Sequence, residues 1–166
     1  EYPFRLYFMQ EKRKGDTGMR LRNIPRAEGT IQAHRAVIKR PEAQRGCWRQ
    51  VFGNKHPIHI EIGMGKGRFI MEMAKRHPDI NYIGIERYSS VLLRAIEKYD
   101  TEEYNELKNV RFVCMDARNV ADVFAEDEVD RIYLNFSDPW PKARHAKRRL
   151  TSTEFLVRYE KILKPG

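Results

Sequence analysis

The run Asn135-Phe136-Ser137-Asp138-Pro139-Trp140-Pro141-Lys142 sets a carboxylate directly before a flat aromatic ring held between two prolines. Proline fixes the backbone, so such a loop is stiff, polar and able to stack on a planar group. Lys142, Arg144, Lys147, Arg148 and Arg149 then place five permanent cations in the eight positions 142–149. A rigid pocket for a flat ring beside a landing site for phosphate points to chemistry on a base within a nucleic acid. Trp140 is the candidate stacking residue. Phe136 continues the preceding apolar pattern and fits core packing better.

A second constellation precedes it, at Glu61-Ile62-Gly63-Met64-Gly65-Lys66-Gly67. Gly63, Gly65 and Gly67 allow a tight turn and a close approach of backbone to a ligand. The spacing is not the dinucleotide fingerprint Gly-x-Gly-x-x-Gly, because Arg68 stands at the sixth position and Glu61 precedes the first glycine. A carboxylate there suits a cationic ligand whose ammonium needs an acid and whose own carboxylate can take the amides of a helix N-terminus. S-adenosyl-L-methionine carries both groups. Glu86 can accept hydrogen bonds from ribose hydroxyls, and Asp116 with Ala117 can meet an adenine amino group. A single acid at such a place can merely cap the next helix. Glu61, Glu86, Asp116 and Asp138 at four successive strand ends argue for a shared purpose.

The elements that must hold these residues follow from periodicity. Apolar runs predict strands over 58–62, 81–86, 110–115 and 130–136, with helical spacing over 68–76 and 90–99. Thr151-Ser152-Thr153-Glu154 reads as a capping box opening a helix that runs to about Leu163. Strands separated by helices of this length predict an α/β fold with a doubly wound, mostly parallel sheet. Ligands of such sheets sit beyond the carboxyl ends of the strands, where every motif above falls.

Charge divides the chain of 166 residues. The net charge is +9, yet residues 1–55 hold 13 Lys and Arg against 5 Asp and Glu. Residues 56–166 are nearly balanced and, outside 142–149, acidic. Two basic concentrations on an acidic body fit a polyanionic partner. Cys47 and Cys114 are too few and too far apart for a disulfide framework or a metal knuckle, so no metal is expected. No segment reads as a membrane span or secretion signal, and a cytoplasmic protein is expected.

Three regions result. Residues 1–18 are expected to be a disordered extension, since Met19 looks like a natural start. Residues 19–55 form a basic N-terminal arm, whose Arg20, Arg22, Arg26, Arg35, Lys39 and Arg40 are expected to order only on RNA. Within the arm, Trp48 and Phe52 anchor it to the sheet. Residues 56–166 form the ligand-binding domain, expected to be C-terminally incomplete because Lys164-Pro165-Gly166 normally leads into another strand.

Ile60 to Gly67, Tyr82 to Glu86, and Tyr133 to Lys142 with the basic run to Leu150 resemble the bacterial tRNA (guanine-N7)-methyltransferases, over roughly Met19 to Gly166. The resemblance implies a Rossmann-like class I methyltransferase that methylates guanine N7 in the variable loop of tRNA. It implies S-adenosyl-L-methionine contacts at Glu61, Glu86, Asp116 and Asp138, with Asp138 also catalytic. Lys142 would touch substrate, at guanine O6 or at a phosphate, and Arg144, His145, Ala146, Lys147, Arg148 and Arg149 would contact RNA. The family also uses a substrate-binding segment after a fifth strand, which this chain lacks. Guanine N7 has a free lone pair, so no general base is needed. His34, His56, His59, His77 and His145 show no triad or metal spacing, and His59 reads as an interior or strand-end residue. Two other readings stand beside this one: a class I methyltransferase acting on an amide or exocyclic amine, and a non-catalytic RNA-binding module on the same fold. The sequence leaves the oligomeric state open.

Overall fold

The computed structural model describes residues 6–9, 22–135, 144, 147 and 149–166. Its centre is a parallel sheet of five strands: β1 (Leu6–Met9), β2 (Ile58–Ile62), β3 (Asn81–Glu86), β4 (Val110–Cys114) and β5 (Arg131–Asn135). Their spatial order is β1-β5-β2-β3-β4. The helices are α1 (Ala27–Ala33), α2 (Trp48–Phe52), α3 (Arg68–Arg76), α4 (Ser89–Tyr99), α5 (Val120–Val123) and α6 (Thr153–Ile162). The α/β fold with a doubly wound parallel sheet is thus as expected, and α3 spans the very residues expected of it. Among the described residues no helix is long and apolar enough to cross a membrane.

Both faces of the central strands are covered, which is why their burial is continuous and not alternating. Ile58, Ile60 and Ile62 of β2 face one layer, with Trp48, Phe124, Phe155 and Tyr159 from the α2, α5 and α6 side. The opposite layer brings Ile70 and Met71 of α3 and Leu92, Leu93 and Ile96 of α4 against Tyr82, Phe112 and Tyr133. Gly84 of β3 lets Met64 lie directly on the sheet, because a Cβ there would collide with Met64 Sδ. His59 is buried, edge-on to Tyr82 at 5.6 Å between ring centroids, and so is the interior residue expected.

Three expectations are corrected. Residues 1–18 were expected to be disordered, yet Leu6–Met9 forms β1 and pairs in parallel with β5 from Leu6↔Ile132 to Met9↔Asn135. An open sheet edge offers unpaired N–H and C=O groups, and the apolar run Leu6-Tyr7-Phe8-Met9 is a good strand former.

The arm was expected to order only on RNA. Instead residues 22–55 are folded onto the body. Ile38 N–H donates to Phe112 O and Phe112 N–H donates to Ala36 O, both at 2.9 Å, closing the outer edge of β4. Arg26 Nη2 lies 2.8 Å from Glu97 Oε1, His34 Nε2 is 2.8 Å from Asp100 Oδ1, and Arg35 Nη2 donates to Asn105 O at 2.8 Å. Part of the arm's charge is therefore answered by acids of the body. The anchor is as expected for Trp48, which packs in the layer over β2 and also bonds to the α5 side. Its indole Nε1–H donates to Val123 O at 2.8 Å, its ring stacks on Phe124 at 5.2 Å, and its backbone N–H donates to Glu128 Oε1 at 3.1 Å. Phe52 is half-buried, with the Arg111 guanidinium 5.4 Å above its ring.

The capping box at α6 does not form. Ser152 is the N-cap, but its side chain makes no cap hydrogen bond, and its Oγ donates to Lys147 O at 3.4 Å. Because the helix begins one residue later than the box requires, with Ser152 and not Thr151 as N-cap, Glu154 is one position too early to reciprocate.

Replacing Trp48 by Ala removes a fully buried ring and its hydrogen bond. The expected loss is about 3–5 kcal/mol of unfolding free energy, read from urea denaturation at an unchanged m-value. A loss below about 1 kcal/mol would show that the arm is not held through this residue.

Candidate functional site

The registers Ile62↔Ile85 and Glu86↔Cys114 align the carboxyl ends of β2, β3 and β4. Glu61, Glu86 and Asp116 consequently fall along one rim of the sheet, each in a different electrostatic state.

Glu61 is only 2% exposed. Its Oε1 accepts a hydrogen bond from Asn135 Nδ2 at 3.2 Å, and among the described residues its Oε2 has no partner. Burial pushes the carboxyl up to about 8, and nearby Glu86 pushes in the same direction. The Asn135 amide and the Ile70 backbone N–H at the start of α3 pull it down, but by less. Near neutral pH Glu61 is therefore mostly protonated on its own, and a cation brought to Oε2 would drive that proton off.

Glu86 binds the glycine loop to the end of β3. Its Oε2 accepts from the Gly65 N–H at 2.9 Å and its Oε1 from the Tyr88 N–H at 3.2 Å. The N–H groups of Gly63 and Met64 both donate to Ile85 O, at 2.9 and 3.0 Å. Gly63, Gly65 and Gly67 have φ of 71°, 60° and 73°, the left-handed region where a side chain costs roughly 1–2 kcal/mol. At Gly67, which precedes α3, a Cβ would also stand 2.8 Å from Met71 Cε. A carboxylate has about four lone-pair sites, so Glu86 can keep both backbone bonds and still accept from a diol.

Asp116 is committed differently. Its Oδ1 accepts from the Arg118 N–H at 2.9 Å, capping the 3-10 turn Ala117–Asn119, and its Oδ2 is 2.8 Å from Arg118 Nη2. Arg118 first, then its own backbone N–H, hold the carboxyl below the usual range despite partial burial. Arg87 Nε lies 3.7 Å away. Capping, considered for every acid of the rim, is the role Asp116 performs here. Ala117 beside it is 8% exposed.

Of the remaining expected site residues, Arg144 and Lys147 are exposed and Arg149 is half-buried. Lys147 Nζ lies 3.7 Å from Glu154 Oε1. Asp138, Trp140, Lys142, His145, Ala146 and Arg148 lie outside the described residues. Leu150, just after the basic run, returns to the glycine loop: a Cβ on Gly63 would stand 3.2 Å from Leu150 Cδ1. Sequence reasoning did not assign Asn135 a role, although it heads the loop that drew attention first. The available signal was parity: Tyr133 pairs with Glu61, so Asn135 two residues on shares Glu61's face.

Parallel strands joined by helices define a Rossmann-like α/β domain, and solved structures share that fold. The antibiotic-resistance methyltransferase Kmr superposes with a TM-score of 0.56 at 20% identity, over 74% of this chain and 61% of that one. The aminoglycoside resistance methyltransferase NpmB1 gives 0.55 at 24% identity, over 72% and 56%. A family model described as "Putative methyltransferase" matches residues 55–166, and the chain belongs to that family. Among curated relatives, a tRNA (guanine-N(7)-)-methyltransferase of Lachnoclostridium phytofermentans is 62% identical over 145 residues, 87% of this chain and 66% of its own length. One of Geobacillus sp. is 58% identical over 146 residues, 87% and 65%. One of Brevibacillus brevis is 51% identical over 145 residues, 87% and 66%. The chain thus spans 65–66% of the length of these relatives.

The raised carboxyl of Glu61 has a signature in stability. Between the ordinary value of 4.5 and about 8 the folded chain holds a proton that the unfolded chain releases. Its contribution is complete below 4.5 and is lost as pH climbs through about 8. Glu61→Gln keeps a neutral side chain at every pH. The variant's urea midpoint is expected to change less between pH 5 and pH 9 than that of the wild type, without ligand. Parallel pH profiles for the two proteins would mean that Glu61 titrates normally.

Proposed function

We propose that the chain carries the methyl-donor site and part of the RNA surface of a tRNA (guanine-N7)-methyltransferase that uses S-adenosyl-L-methionine. The observation that carries the reading is Glu61, a buried carboxylate with one oxygen unsatisfied among the described residues, beside a loop of three left-handed glycines. An orphaned, desolvated acceptor of this kind fits an ammonium group. The choice of substrate rests on the relatives, which bear that name at 51–62% identity.

When bound, S-adenosyl-L-methionine supplies an electrophilic methyl group on a sulfonium. The protein's part is alignment and electrostatics, since guanine N7 needs no deprotonation. Glu61 holds the amino-acid end. Glu86 accepts from the ribose while keeping the glycine loop in place. Asp116 and Ala117 border the adenine, with Asp116 already fixed by Arg118. Asp138 accepts from the N1–H and N2–H₂ edge of guanine and presents negative charge to a purine that becomes cationic. Trp140 stacks on the base, and Lys142 reaches O6 or a phosphate. Arg144, His145, Ala146, Lys147, Arg148 and Arg149 track the RNA backbone.

The deciding experiment is mass spectrometry of nucleosides from tRNA incubated with the protein and S-adenosyl-L-methionine. N7-methylguanosine is the expected product, and a methyl group on an amide or exocyclic amine would overturn the assignment. Calorimetry with S-adenosylhomocysteine should show release of up to about one proton at pH 7, seen as heat that depends on the buffer.

Asp138→Asn should slow methyl transfer by about 10²-fold or more in single-turnover assays, with cofactor affinity changed only a few-fold. Near-normal transfer would remove Asp138 from the reaction. Arg148→Ala with Arg149→Ala should weaken tRNA binding and flatten the salt dependence by about 0.7–0.9 in log–log slope per lost phosphate contact. An unchanged slope would mean that these arginines are only a solvated face.

A further inference from the structure

Two fully buried acceptors stand side by side at the ends of β2 and β5, and no role has been given to one of them. Asn135 is 2% exposed, as is Glu61. The single hydrogen bond between them, Asn135 Nδ2 to Glu61 Oε1 at 3.2 Å, leaves Glu61 Oε2 and Asn135 Oδ1 without partners among the described residues. Buried polar atoms are nearly always satisfied, so once Glu61 is ionised these two adjacent acceptors, unpartnered among the described residues, match a donor brought by a ligand. A donor with several N–H groups and a positive charge answers both at once. An ammonium has three N–H donors and no acceptor.

We propose that Asn135 is a second cofactor-binding residue, its Oδ1 acting with Glu61 Oε2 as a paired acceptor for the ammonium end of the methyl donor. This deepens the cofactor reading given above and rests on it. The chemistry explains why an amide stands here. Once Glu61 is ionised, only the Nδ2 side of Asn135 can face it, and that choice turns Oδ1 towards the ammonium. An aspartate would set two carboxylates against each other, and one of them would hold a proton. An alanine would leave Oε1 of Glu61 unsatisfied as well. The strand register makes the pair: Glu61 opposes Tyr133, and Asn135 is the next residue of β5 on the same face.

The test compares two ligands by calorimetry on the intact chain. S-adenosylhomocysteine carries the ammonium, whereas 5′-methylthioadenosine keeps the adenosyl thioether and lacks the amino-acid end. Asn135→Ala should weaken S-adenosylhomocysteine by about 10- to 100-fold, the range for a hydrogen bond to a charged group. The same substitution should leave 5′-methylthioadenosine within about twofold of the wild type, the change expected where no interaction is lost. Equal weakening of both ligands would mean that Asn135 only shapes the site, and unchanged binding of both would mean that its oxygen meets nothing. Either result overturns the proposal while leaving the cofactor reading standing. A wild-type chain that binds neither ligand would remove the cofactor reading and this proposal together. Should the alanine variant not fold, Asn135→Ser, which keeps a polar atom but draws it out of reach, reads the same contrast.

Discussion

A carboxylate in the apolar middle of a parallel sheet is an expensive thing to keep, and the rim of this protein is arranged around one. Glu61 sits on a strand whose five residues are all buried. Left alone it holds a proton, with one hydrogen bond from Asn135 and the Ile70 N–H aimed at it. Those two donors lower the cost of ionisation without cancelling it. The site is therefore set short of satisfaction among the described residues. Glu86, by contrast, is stabilised by two backbone N–H groups and serves as a brace between the glycine loop and β3. A rim with one poised acid and one braced acid has both an attraction for positive charge and a fixed shape.

The fold was legible because its signals are local. Strands β2 to β5 and helices α3, α4 and α6 follow from apolar runs and breakers such as His77-Pro78-Asp79. What escaped was pairing between distant segments. β1 and the Ala36–Ile38 stretch both lie against sheet edges, β5 and β4 respectively. Nothing within such a short segment says which edge it will meet, since the backbone of any edge is an equivalent template. The capping motif at α6 failed for a different, local reason. Ser152 has the right type, but the carbonyl of Lys147 in the preceding turn competes for its hydroxyl.

The candidate site was legible in its residue types and only partly in their states. Burial of Glu61 could be inferred from its flanking isoleucines; its hydrogen-bond partner could not, because Asn135 lies 74 residues away. Asp116 illustrates the opposite limit. It sits at a strand end as the motif requires, yet Arg118, two residues on, meets its carboxylate through both backbone and side chain. Sequence spacing identified the acid, and the local turn decided how much of it is free for anything else.

Charge is where the sequence and the folded chain differ most instructively. The excess of cations before residue 56 suggests a tail awaiting a polyanion, but Arg26 and His34 are set against Glu97 and Asp100 on and beside α4. Exposed pairs of this kind contribute little stability each. Their larger effect is on geometry: with Trp48 buried at one end and Phe112 paired at the middle, they fix the arm along β4. An arm held in this way sets basic side chains against part of the acidic charge on and beside α4. The cations at 142–149 sit in sequence directly after the loop that carries Asp138, and Leu150 ties the end of that run to Gly63. The end of the basic segment is thereby held against the same glycine loop that Glu86 braces.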